Sequence, residues 1–210
     1  MNLRVTSPIR LPSAPARSHY ALTVIYVTTA DEASRVLAEL LRQQPLGLDL
    51  ETTGLDPLQH RIRLLQLATR AGRVAVFDLF QLPVALFTPL TNARLVAHNA
   101  VFEYTFLAAA GIRLEVLHDS MPMYRVVYGH TASLQDAAHH TLQLAIDKTE
   151  QVSDWTTPEL SAQQLRYAAL DAWVAPPAGR CARCPLRQHL PAGCAGAAGR
   201  CPVPPRRCPV

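Results

Sequence analysis

Asp49 and Glu51 stand two residues apart in the segment Gly47-Leu-Asp49-Leu-Glu51-Thr-Thr-Gly54. On a β-strand, residues two apart share a face. The two carboxylates therefore lie side by side, while Leu46, Leu48 and Leu50 fill the opposite face. Adjacent acids on a half-buried face repel each other and lose hydration, and a bound divalent cation relieves both costs. The bland alternative is a solvated edge strand with two surface acids. A third acid, Glu103, closes His98-Asn-Ala-Val-Phe-Glu103, where a short strand passes into a helix. Alone, it would be read as an acid placed to suit the helix dipole. A fourth, Asp171, follows Tyr167 by four residues, hence on the same helical face. There the phenol can hydrogen-bond a water or substrate lying over the carboxylate. Four carboxylates from three elements make an oxygen-only donor set that suits Mg²⁺ or Mn²⁺ and not zinc. Two such ions about 3.5–4 Å apart are a standard device for phosphodiester cleavage. The histidines show no metal-ligand spacing; His139 and His140 are adjacent and point apart on a helix.

These segments need elements to bring them together. Ala21–Val27 is rich in β-branched residues and predicts a buried strand. Thr29 and Glu32 have capping-box spacing, and Ala33, Val36, Leu37, Leu40 and Leu41 recur at helical period to about Arg42. Leu46–Glu51 predicts a second strand. Arg63–Thr69 and Arg73–Leu79 predict a hairpin around Ala71-Gly72. Arg94–His98 predicts a short strand leading into a helix over Ala100–Ala110, stopped at Gly111. Further helices are predicted over Ser120–Tyr128, Ser133–Leu144 and Ser161–Ala175, the last opened by a Ser161/Gln164 capping box. Strands early and helices late give an α/β fold, a mixed sheet with helices packed on it.

Composition bounds the rest. Of 210 residues 49% are apolar and 17% charged, which supplies a core and excludes global disorder. No apolar run reaches eighteen residues, so no membrane span is expected; the cytoplasm is the expected compartment. The net charge of +4 hides a seam. Residues 176–210 hold six Arg, eight Pro, all five Cys and no acid, which leaves 14 basic and 16 acidic residues before them. The basic balance belongs to the tail, and a body without cysteine has neither a disulfide scaffold nor a thiol nucleophile. The tail admits three readings: a zinc site, an Arg-rich nucleic-acid-binding arm, or the product of a shifted reading frame in a GC-rich gene. The last is favoured, with no packed core expected there. Residues 1–20 carry three Pro and three Arg without an acid and are expected to be a disordered lead-in.

The chain resembles the DEDDy 3′–5′ exonucleases, the group of ribonuclease D and the proofreading domain of DNA polymerase I. Leu48–Asp56 resembles the first motif, His98–Glu103 the second and Tyr167–Asp171 the third, and Asp147–Trp155 is similar to the ribonuclease D signature ahead of the third. The resemblance runs from about Val24 to Val174. It implies a ribonuclease H-like fold, a central mixed β-sheet flanked by helices, over residues 21–175, with the last helix cut short and an irregular C-terminal tail after it. It also implies a metal-dependent 3′–5′ exonuclease that releases nucleoside monophosphates from single-stranded 3′ ends of RNA or DNA by a two-metal mechanism. Asp49, Glu51, Glu103 and Asp171 are then the ligands of two divalent ions, Mg²⁺ or Mn²⁺, and Tyr167 orients the attacking water. Leu55 and Phe102 flank the terminal nucleotide, Asn99 hydrogen-bonds it, and Thr52 and Thr53 contact its sugar or phosphate. Two features stand apart from the family pattern. The second motif usually ends in Asp, and here it ends in Glu103. Arg166 stands where the sister DEDDh group carries histidine, and an arginine stays protonated, so the tyrosine version fits. The alternative function is a catalytically impaired nucleic-acid-binding remnant. No membrane and no protein partner are expected.

Overall fold

The computed structural model describes residues 9–10, 21–146 and 149–178. A seven-stranded sheet runs in the order β1-β2-β5-β4-β3-β6-β7. Its strands are β1 (Ile9–Arg10), β2 (Ala21–Val27), β3 (Leu46–Thr52), β4 (Ile62–Ala68), β5 (Arg73–Asp78), β6 (Leu95–Ala97) and β7 (Leu117–Asp119). β3, β4 and β5 pair antiparallel, whereas β2 joins β5, β6 joins β3 and β7 joins β6 in parallel. The helices are α1 (Ala30–Leu41), α2 (Val101–Ala109), α3 (Ser120–Tyr128), α4 (Leu134–Leu142) and α5 (Ala162–Ala178). This mixed sheet flanked by helices is the ribonuclease H-like architecture.

Strand alternation divides the core in two. Leu46, Leu48 and Leu50 of β3 pack with Leu65 and Leu67 of β4 against α1 and α2, through Val36, Leu40 and Phe106. Leu64 and Ala68 point the other way, into a second core that holds Tyr124, Ala138 and the Ala168–Val174 stretch of α5. The central strand β4 is buried along its whole length. This arrangement puts the odd-numbered residues of β3, Asp49 and Glu51 among them, on the face that α5 covers.

Several boundaries differ from those predicted. Helix α1 forms, but the Thr29 hydroxyl makes no capping bond. The strand β7 and a 3₁₀ helix over Val84–Asn92 have no periodic signal. The largest difference is at the seam. α5 does not stop at Ala175 but continues through Pro176 and Pro177 to Ala178, and Trp173, Val174 and Ala175 are buried. Prolines there carry no N–H for the carbonyls of Ala172 and Trp173, a loss confined to the last turn of the helix. In the expected lead-in, Ile9–Arg10 pairs antiparallel with Ala21–Leu22. The rest of that segment, Asp147, Lys148, and residues 179–210 with all five cysteines lie outside the described residues. Among the described residues no helix is long and apolar enough to cross a membrane.

Candidate active site

The C-terminal end of β3, the N-terminal end of α2 and the middle of α5 meet at one cleft of about 430 Å³. Asp49, Glu51, Thr52, Thr53, Leu55, Asn99, Phe102, Glu103, Tyr167 and Asp171 all line it. Thus the cleft gathers every residue that the sequence singles out for a site.

Each element places its side chains for a local reason. The β3–β4 ladder shifts register between Glu51 and Thr52. A bulge of this kind bends a strand and re-aims the residues beyond it, and the chain turns away into Thr52–Leu55. There the Thr52 hydroxyl donates to the Gly54 carbonyl at 2.6 Å, while Thr53 exchanges two bonds with Arg61: its N–H donates to the Arg61 carbonyl and its hydroxyl accepts the Arg61 N–H. Gly54 is packed under His60, whose ring a Cβ would overlap.

The second segment is built around Asn99, which takes a left-handed φ of 65°, a region that asparagine tolerates better than most residues. Asp119 holds this turn. Its carboxylate accepts from the N–H of Asn99 at 3.0 Å and of Ala100 at 3.1 Å, and also from Met121 at the start of α3. His98 donates from Nε2 to the Ala132 carbonyl at 3.0 Å, which leaves Nδ1 to accept from the Ser120 hydroxyl. Burial pushes its imidazole below the usual range, so it is neutral here. Sequence reasoning makes neither Asp119 nor His98 a site residue. His98 lies within the second motif; Asp119 carries no signal beyond preceding a helix, an N-cap position.

The third wall is Gln151–Trp155. Gln164, the glutamine of the predicted capping box, secures it. Its Oε1 accepts the Ser161 N–H and its own N–H donates to the Ser161 hydroxyl, while Nε2 reaches the Ser153 hydroxyl at 2.8 Å and the Asp154 carbonyl at 3.1 Å. Farther along, fully buried Arg63 pairs with Asp78 and donates to the Pro158 carbonyl at 3.2 Å.

The electrostatics are dominated by the clustered acids. Burial, then the charges of Glu51, Asp171 and Glu103, raises the Asp49 carboxyl well above its ordinary range. Burial and the charges of Asp171 and Glu103 do the same to Glu51. Burial lifts Glu103 to about 8 and Asp171 to about 7, the latter against a lowering hydrogen bond from Tyr167. The Tyr167 phenol is held far above its usual range by burial and by Asp171, so it stays protonated. Glu103 Oε2 and Asp171 Oδ1 are buried without hydrogen-bond partners. Among the described residues no three such side chains close around a common point as metal ligands. The donor set nonetheless fits a hard divalent cation: it is all oxygen, mutually repelling, and holds two buried oxygens that nothing else satisfies.

Residues 24–176 match the model of the 3′–5′ exonuclease domain. The chain belongs to that family. Members of the 3′–5′ exonuclease family are phosphodiester hydrolases that depend on divalent metal ions. This exonuclease domain is 32% identical to DNA polymerase I of Aquifex aeolicus (strain VF5) over 151 residues, 71% of this chain and 25% of that protein. It therefore spans about a quarter of that relative's length. Escherichia coli RNase D, an exoribonuclease involved in structured RNA processing, shares the fold with a TM-score of 0.66 at 18% identity, over 74% of this chain and 43% of that one. Brucella melitensis NrnC bound to pGG gives a TM-score of 0.56 at 25% identity, over 63% and 68% of the two chains.

Proposed function

We propose that this exonuclease domain is catalytically competent and hydrolyses the terminal phosphodiester bond at the single-stranded 3′ end of RNA or DNA, releasing nucleoside monophosphates. The observation that carries this reading is the convergence of Asp49, Glu51, Glu103 and Asp171 on one cleft, two of them with buried, unpartnered oxygens. These four side chains would hold two divalent ions, Mg²⁺ or Mn²⁺. When bound, the ions lower the pKa of the attacking water and stabilise charge on the scissile phosphate and the leaving 3′ oxygen.

The chain's own residues do the positioning. Tyr167, protonated and with its hydroxyl hydrogen engaged by Asp171, presents its phenolic oxygen as the acceptor that orients the water beside the phosphate. Phe102 and exposed Leu55 provide apolar surfaces on either side of the terminal base, and Asn99 at the cleft mouth offers it a polar edge. The Thr52 hydroxyl hydrogen and the Thr53 N–H are committed within the turn, so the Thr53 hydroxyl is the donor toward sugar or phosphate. NrnC with its bound pGG lends weight to a short 3′ end as the occupant.

The test is direct. A 5′-labelled single strand, as RNA and as matched DNA, is incubated with the full chain in Mg²⁺ and in Mn²⁺. A descending ladder is expected. Binding without shortening in either metal would leave a nucleic-acid-binding remnant and reject the enzyme.

A further inference from the structure

Gln66 lies mid-way along β4, directly opposite Asp49 in the antiparallel β3–β4 ladder. Its neighbours Leu65 and Leu67 point to the face packed against α1 and α2, so Gln66 points with Leu64, Ala68 and Asp49 to the face under α5. It is fully buried, and neither its amide nitrogen nor its amide oxygen has a hydrogen-bond partner. Leu64 before it on the same face and Val76 opposite it on β5 show that an apolar residue suits this layer. An amide sealed from water without a partner is unfavourable, so packing does not explain the glutamine. The other such orphaned atoms among the described residues are Glu103 Oε2, Asp171 Oδ1 and Arg63 Nε. Gln66 therefore shares its unsatisfied state with two members of the carboxylate cluster and sits across from a third.

Side chains directly opposed in an antiparallel ladder have Cβ atoms about 4.5–5.5 Å apart, a span that glutamine's length covers. We propose that Gln66 is the positioning residue of Asp49: its amide N–H would donate to a carboxylate oxygen of Asp49 and fix the rotation of that carboxylate. The inference rests on the reading of the cleft as a metal-dependent nuclease site.

Gln66→Met keeps the volume and removes the amide. Its melting temperature without metal should equal or exceed that of the parent chain. Its Mn²⁺ dissociation constant, measured by calorimetric titration of the full chain, should rise about tenfold or more, the usual effect of losing a partner of a metal ligand. The rise in melting temperature on adding Mn²⁺ should shrink accordingly. A variant that binds Mn²⁺ as the parent does overturns the role of Gln66 and leaves the nuclease reading standing. Loss of metal-free folding in both Gln66→Met and Gln66→Leu overturns it too, because the amide would then serve the fold. Failure of the parent chain itself to bind Mn²⁺ and to cleave overturns the nuclease reading and this inference with it.

Discussion

Gly47 on β3 and Ala172 on α5 meet backbone to backbone: a Cβ on Gly47 would overlap the Ala172 carbonyl oxygen and stand 3.0 Å from Cδ of Pro176. That carbonyl is the one the N–H of residue 176 would bond in a regular helix, and a proline has none to offer. Strand and helix are thus fitted to each other. The strand omits a side chain where the helix has a released carbonyl, and α5 sinks onto the sheet with Asp171 one residue before the contact. Gly47→Ala should force the two apart, costing about 1–3 kcal/mol as overpacking does, and should lower cleavage by displacing Asp171 and Tyr167. Thermal melting and the labelled-strand assay check both effects; an unchanged melting temperature would mean that α5 does not rest on Gly47.

Asp49→Asn keeps the shape and removes one charge from a cluster in which burial and neighbouring acids already penalise ionisation. Folding should hold, with metal-free stability equal or higher, while cleavage falls by about a hundredfold or more. Near-normal turnover would exclude Asp49 as a metal ligand.

Glu103→Asp restores the residue more usual in the family. Glu103 sits in the first turn of α2 with one oxygen unpartnered, so a shorter side chain sacrifices no hydrogen bond at that atom. Activity at saturating Mn²⁺ should be equal or greater. Complete loss would show that the site is built around the longer reach.

The raised carboxyls set the pH response. Glu103 at about 8 and Asp171 at about 7 hold protons in the folded state that the unfolded chain, titrating near 4, has released. Where the native state binds more protons, stability falls as pH rises. The metal-free melting temperature should therefore drop between about pH 5 and 8, on the order of 5 °C or more, and saturating Mn²⁺ should flatten the slope. A metal-free melting curve independent of pH would contradict the clustering of these acids in one buried site.

Much of the site is legible in the sequence because its chemistry is carried by period. Two acids at strand spacing and a Tyr–Asp pair at helical spacing specify which side chains share a face before any partner is known. The strands β2 to β6 and helices α1 to α5 are legible from other local signals as well: β-branched residues in β2, the Ala71-Gly72 turn between β4 and β5, helical period in α1, Gly111 after α2 and the Ser161/Gln164 capping box of α5. The elements that escape have no period. β7 is three residues, Leu-His-Asp, partly exposed, and exists because β6 offers it an edge. Asp119 gains its importance from meeting the N–H groups of Asn99 and Ala100, twenty and nineteen residues earlier in the chain. The end of α5, with its two prolines, is fitted against Gly47, more than a hundred residues earlier, and no local rule about proline contains that information.

The two flanks of the cleft are secured unequally. The Gln151–Pro158 side is tied by Gln164 to the helix bearing Tyr167 and Asp171 and by Arg63 to the sheet. The Leu55–Gln59 side is closed mainly on itself, through the Asp56 carboxylate accepting from Leu58 and Gln59. Evolutionary drift should register that asymmetry. Insertions and replacements would accumulate at Leu55–Gln59, tuning which terminal bases are accepted, whereas Arg63, Pro158 and Gln164 would be inherited as a set.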